Sequence, residues 1–149
     1  MSKIGEQVEV QTQERVFEVG AALPAFVRRA DLATWNRYAA VNDEFVAIHM
    51  DDEAGRAAGY PGAIGMGNLI WAWLHAMIED WLGDRGRLDR MECRFRGPAL
   101  KGDEISCAGT VLSREVSEGG AVVLELDVWA DRQTGERLVA AKARVLIPA

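Results

Sequence analysis

Cysteine and histidine are scarce here, with two of each in 149 residues. Cys93 and Cys107 cannot build the disulfide framework of a small secreted domain. With two scattered histidines they also lack zinc-ligand spacing, so no metal is expected. A basic excess is missing too: the net charge is −6, with both signs interspersed, and nucleic acid is not an expected partner. No apolar run spans a bilayer comfortably. The longest, Leu69 to Leu82, is interrupted by His75, Glu79 and Asp80. The first seven residues lack a signal peptide's apolar core. A soluble cytoplasmic protein away from membranes is the expectation, with both cysteines reduced and buried. They fall on inward positions of two strands that read as neighbours.

Repeats, low-complexity tracts and linkers are absent as well, and the length suits one domain over 1–149. The first dozen residues are polar and read as loose. Arg15 to Val19 reads as a short strand, and Pro24 to Arg29 as an extended edge piece. Asp31 has the position of a helix N-cap, with Leu32, Trp35, Tyr38 and Ala39 at helical spacing up to about Val41. Residues 42–50 read as loop, since Asn42-Asp43 favours a turn. Asp51 to Ala58 reads as a second short helix closed by Gly59.

From Met66 to Leu82 the chain is apolar nearly all round, which marks a buried helix. Gly83 ends it. The period then changes to two: Met91, Cys93 and Phe95 alternate with Glu92, Arg94 and Arg96. Similar runs follow at Ile105–Val111, Val122–Val128 and Ala141–Ile147. Gly97-Pro98, Lys101-Gly102-Asp103, Gly119-Gly120 and Thr134-Gly135 separate them. That pattern predicts an antiparallel meander with one face buried. The fold class is α+β, with the sheet wrapped around the long apolar helix.

Chemistry concentrates between the first helix and the long one. Glu44-Phe45-Val46-Ala47-Ile48-His49 brings a carboxylate near one of the two histidines. Gly62, Gly65 and Gly67 then lead to a helix N-terminus, where free N–H groups can hold developing negative charge. Those glycines follow no strand and precede no Gly-Lys-Ser/Thr, so nucleotide binding is not indicated. Taken alone, Asp43 and Glu44 read as solvated turn residues and His49 as a satisfied loop histidine. Asp51 reads as a helix cap. His75, inside the long helix, reads as a hydrogen-bonded core residue, and Trp71, Trp73 and Trp81 as core or subunit interface.

The order of these pieces resembles the MaoC-like dehydratases of hot-dog fold, which include the (R)-specific enoyl-CoA hydratases. That family's loop typically reads Asp-Phe-Asn-Pro-Leu/Ile-His with an Asp two residues later. A short helix and an Ala-His-Gly-Met turn then lead into the central helix. The matching residues are Glu44 to His49, Asp51, Arg56 to Gly59, and Gly65-Met66-Gly67-Asn68. Phe95-Arg96-Gly97-Pro98 through Asp103 resembles the family's later strand and turn. Without gaps, Glu44 stands at the family's catalytic Asp; with one extra loop residue, Asp43 does. Val46-Ala47 replaces Asn-Pro, Met66 replaces the turn histidine, and His75 stands roughly where a serine is common.

The resemblance implies a single hot-dog domain that hydrates a 2-enoyl thioester, or dehydrates a 3-hydroxyacyl one, by acid–base catalysis. Glu44 or Asp43 acts with His49, and the Gly67 N–H stabilises the oxyanion. Gly65, Met66 and Asn68 contact substrate. It implies coenzyme A or acyl carrier protein as the carrier, no cofactor, and a homodimer pairing sheets edge to edge. Arg28, Arg29, Arg94, Arg96 and Lys101 could meet the carrier's phosphates, but alternating strand charges are usually just the solvated face. Two other readings stand beside it: a hot-dog acyl-thioesterase, and a non-catalytic partner subunit of a heteromeric dehydratase.

Overall fold

Alternating side chains build the sheet, and one all-apolar segment fills it. The computed structural model describes residues 17–149. In chain order its elements are β1 (Phe26–Arg29), α1 (Leu32–Asn42), α2 (Ala47–Met50), α3 (Asp52–Ala57) and α4 (Gly67–Leu82). A 3-10 turn, Gly83–Arg85, leads to β2 (Arg87–Phe95), β3 (Glu104–Val116), β4 (Val122–Arg132) and β5 (Arg137–Ile147). All described strands join one antiparallel sheet in the order β1-β3-β4-β5-β2.

Helix α4 lies in the concave face of that sheet. Leu69, Ile70, Trp73, Leu74, Met77, Ile78, Trp81 and Leu82 are buried on it. They share one core with Ile105, Val111, Leu124, Leu126, Val128, Ala143 and Val145 from the strands. Each fully buried Leu or Ile side chain contributes about 1.5–3 kcal/mol, so this contact dominates the fold's stability. It is the hot-dog arrangement expected from the sequence. On the outer face, polar residues pair across strands: Lys142 with Asp127 at 3.0 Å, Arg144 with Glu125 at 2.6 Å, and Arg137 with Asp131 at 3.0 Å. Exposed pairs of this kind add little stability but keep the face solvated. No helix among the described residues is long and apolar enough to cross a membrane.

Both predicted caps hold. Asp31 accepts the Thr34 N–H at 2.7 Å, and Asp51 accepts the Glu53 N–H at 2.8 Å. Gly59 takes a positive φ after α3. Three expectations need correction. Phe17 to Gly20 forms a turn instead of the strand expected over Arg15 to Val19; Arg15 and Val16, like the loose first dozen residues, lie outside the described residues. Within 42–50, read as loop, Ala47–Met50 is one helical turn. It is too short for any periodic signal.

The third correction concerns strand order. Only β3, β4 and β5 form a meander, whereas β2 pairs with β5 at the far edge. Alternation defines a strand's faces but not its neighbour. Cys93 and Cys107 are therefore not on neighbouring strands, since β5 and β4 lie between β2 and β3. Both thiols are free. Burial raises the Cys93 thiol and pushes that of Cys107 up to about 12.

Because β2 and β3 are not neighbours, residues 96–103 must cross the sheet's end. A buried knot holds this crossover in place. Asp103, only 6% exposed, accepts from Leu100 N–H at 2.8 Å, Arg132 Nε at 3.1 Å and Gln133 Nε2 at 3.1 Å. Arg132 also donates to the Pro98 carbonyl at 2.8 Å. Replacing Asp103 by Ala strands these donors together with the Arg132 charge and is expected to cost about 3 kcal/mol. Urea unfolding checks this: a midpoint as little changed as that of Glu136→Ala, an exposed partner of Arg132, would refute the role.

Candidate active site

The site forms where the end of α1, the single turn α2 and the start of α4 meet the crossover. Helix α1 stops at Asp43, whose φ of 53° lies in the left-handed region, one that Asp tolerates better than most residues. The Glu44 N–H then closes on the Ala39 carbonyl at 3.0 Å, and the chain turns back. Asp43 is left exposed, whereas Glu44 is half-buried beside Tyr38. The Tyr38 hydroxyl is held above its ordinary range, first by burial and then by the charge of Glu44. Of the two candidate carboxylates, Glu44 is the one drawn inward.

His49 lies in α2 and is half-buried. Its Nδ1 sits 2.9 Å from the Ile64 carbonyl oxygen. A carbonyl only accepts, so Nδ1 carries a proton, and the neutral tautomer that makes this bond has its lone pair on Nε2. The Ile64 N–H returns a bond to the Ile48 carbonyl at 3.1 Å, and the Gly65 N–H donates to Ala99 of the crossover at 2.8 Å. Residues 63–65 are thus a short strap, with His49 on one side and the crossover on the other.

Two residues beyond the strap, α4 begins. Its N-cap, Met66, offers no side-chain hydrogen bond, so the Gly67 and Asn68 N–H groups point out of an uncapped N-terminus. The Phe95 ring, 51% exposed, lies against Gly67. A Cβ on that glycine would come within 2.9 Å of the ring. The absent side chain lets an aromatic edge and a free N–H share one place. Asn68 is exposed; Gly65 is buried, and Met66, 1% exposed, points into the core.

Two of the places that sequence order singled out, His49 and the start of α4, are thereby joined. His49 bonds to Ile64, and Ile64 to Gly67 is one short path into α4. Sequence reasoning missed the Ile64 carbonyl, the crossover beneath it and Phe95 over Gly67. A backbone acceptor leaves no mark in residue types, and the crossover followed from a strand order that alternation does not reveal. His75 departs from expectation: its Nε2 is buried with no hydrogen-bond partner among the described residues, and its ring stacks on Trp71 at 5.7 Å. A groove of about 520 Å³ lies between β2 and β5 at Cys93, Ala140 and Ala141. Glu92, Arg94, Asp127 and Lys142 line it as well, which is the wrong wall for an acyl chain.

Comparison with known proteins follows the same line. A profile of the family described as MaoC like domain matches residues 4–129. A search among curated proteins found no match. Among solved structures, an (R)-hydratase from A. caviae involved in PHA biosynthesis is 21% identical with a TM-score of 0.79, over 88% of this chain and 97% of that one. The R-hydratase PhaJ1 of Pseudomonas aeruginosa is 21% identical, with a TM-score of 0.76 over 88% of this chain and 82% of that one. A chain of the ChsH1-ChsH2 complex from Mycobacterium tuberculosis is 20% identical, with a TM-score of 0.76 over 87% and 98%. At such identities the likeness is one of fold.

Proposed function

Because the chain belongs to the MaoC-like dehydratase family, we propose that it adds water to a 2-enoyl thioester, or removes it from a 3-hydroxyacyl thioester, of coenzyme A or an acyl carrier protein. The observation that carries this reading is the state of His49. Its Nδ1 is committed to Ile64, so Nε2 is left as an acceptor near an uncapped helix N-terminus. In the hydration direction Nε2 accepts one hydrogen of a water molecule and the Glu44 carboxylate the other. As the water oxygen bonds to C3, Glu44 takes its proton, and the C2–C3 π electrons shift towards the thioester carbonyl. The oxygen gains negative charge, which the Gly67 N–H stabilises. The proton on Glu44 then passes to C2. One molecule of water has been added and both side chains are restored; dehydration is the reverse. Asp43 is the alternative carboxylate. Asn68 joins Gly67 at the mouth, while Gly65, buried with its N–H on Ala99, and Met66 fix the start of α4 from below.

A homodimer belongs to this reading. The outer edge of β2 has no strand partner among the described residues, and an open edge seeks cover. Trp71, Ala72, His75 and Ala76 leave a half-buried stripe on a helix whose other side is buried in the core. A second copy would cover both.

Incubation with crotonyl-CoA, and with longer 2-enoyl thioesters if that is inert, tests the function. Loss of enoyl absorbance without free thiol is the expected result. Free thiol would instead identify a thioesterase. No reaction with any chain length would favour the non-catalytic partner, for which the ChsH1-ChsH2 complex offers a likeness in fold.

A further inference from the structure

We propose that Asp52 is a positioning residue for His49: its carboxylate, gripped by Lys101, fixes the strap whose Ile64 carbonyl sets the tautomer and direction of the imidazole. The inference rests on the reading of His49 as an acid–base group.

Asp52 opens α3, where a carboxylate ordinarily serves only its own helix. Its neighbour Asp51 does so by capping. Asp52 reaches further. Oδ1 accepts the Ala63 N–H at 2.9 Å, eleven residues away. Lys101, from the turn that closes the crossover, sits 2.6 Å from the same carboxylate. The Lys101 ammonium, followed by the Ala63 N–H, holds the Asp52 carboxyl below its usual range. It stays ionised at neutral pH.

The strap is held at four of its backbone polar groups. Ala63 N–H goes to Asp52, Ile64 N–H to Ile48, Ile64 C=O to His49 and Gly65 N–H to Ala99. Only the first of these backbone groups is held by a side-chain carboxylate. Backbone contact presses α3 onto the strap from the same side: a Cβ on Gly55 would lie 1.9 Å from the Gly62 carbonyl oxygen. The Lys101–Asp52 pair also couples the crossover to α3, so the two elements flanking His49's acceptor are tied together. Without Asp52 the Ala63 N–H turns to water, and the strap keeps only the Ile48 and Ala99 bonds at Ile64 and Gly65, which lets the Ile64 carbonyl shift from the imidazole. The imidazole then loses the single acceptor that keeps its proton on Nδ1.

A brace that merely stabilised α3 would leave the ring's proton where it is, so the test reads that proton. Imidazole ¹⁵N–¹H correlation spectra, with the His49 signals assigned by their loss in His49→Gln, report which nitrogen is protonated. In the wild type Nδ1–H is expected to dominate. In Asp52→Ala the signals should move towards Nε2–H, and kcat for enoyl hydration should fall about 10–100-fold with KM nearly unchanged. Asp52→Asn keeps an oxygen for Ala63 but loses the ion pair, so it should lie between. Lys101→Met should move the signals the same way as Asp52→Asn, and these two variants carry the test if Asp52→Ala does not fold. Wild-type His49 signals in all the folded variants would overturn the proposal. Should the protein prove inactive on every thioester, the reading of function fails while the tautomer measurement still decides the clamp.

Discussion

His49→Ala is expected to lower the rate of enoyl-thioester hydration about 10²–10⁴-fold, the contribution of a positioned acid–base group. The fold should survive the change. His49 lies in a single-turn helix at the rim, half-buried, and its side chain makes one hydrogen bond, to Ile64. Losing one such bond costs about 1 kcal/mol, which for a chain of this size lowers Tm by about 2–4 °C. The two readouts should therefore part: kcat collapses while the thermal transition barely moves. An unchanged rate would remove His49 from the mechanism. A comparable fall in both would mean that the histidine serves the local fold.

Glu44→Gln is expected to lose activity on the same scale, about 10²–10⁴-fold, whereas Asp43→Asn should stay near the wild-type rate. The contrast follows from backbone geometry at the end of α1. Asp43 takes the left-handed position that lets the chain reverse, and its side chain ends up in solvent. Asn occupies that conformation as readily as Asp, so Asp43→Asn should spare both fold and rate. Glu44, one residue on, is drawn inward beside Tyr38. In the proposed mechanism its carboxylate takes the proton from water and holds it for transfer. Gln keeps the shape of that side chain and removes only its basicity. The opposite pattern, a dead Asp43→Asn and a normal Glu44→Gln, would mean that the loop is used with one residue of slippage.

Much of this was legible in residue patterns. The two aspartate caps, the all-apolar α4 and the inward residues of β3, β4 and β5 follow from spacing and propensity, whereas Phe95, read as inward on β2, is half-exposed over Gly67. Each is fixed by near neighbours in the chain. Strand order was not legible, because Met91 and Cys93 face inward equally well beside β3 or beside β5. The site was half legible. Its proposed side chains, Glu44 or Asp43 with His49, are suggested by type and order. What holds His49, the Ile64 carbonyl and, as proposed, the Asp52–Lys101 pair behind it, joins residues 15 and 49 positions apart, beyond the reach of a local pattern.

The central claim is that one water molecule is shared between His49 and Glu44. A double-mutant cycle in steady-state hydration tests it directly. Two groups acting on one molecule are strongly coupled, because the second loss removes little once the first has disabled the step. The account predicts that His49→Ala combined with Glu44→Gln is about as slow as the slower single variant. Losses that simply multiply would show that the two side chains act independently, and would contradict it.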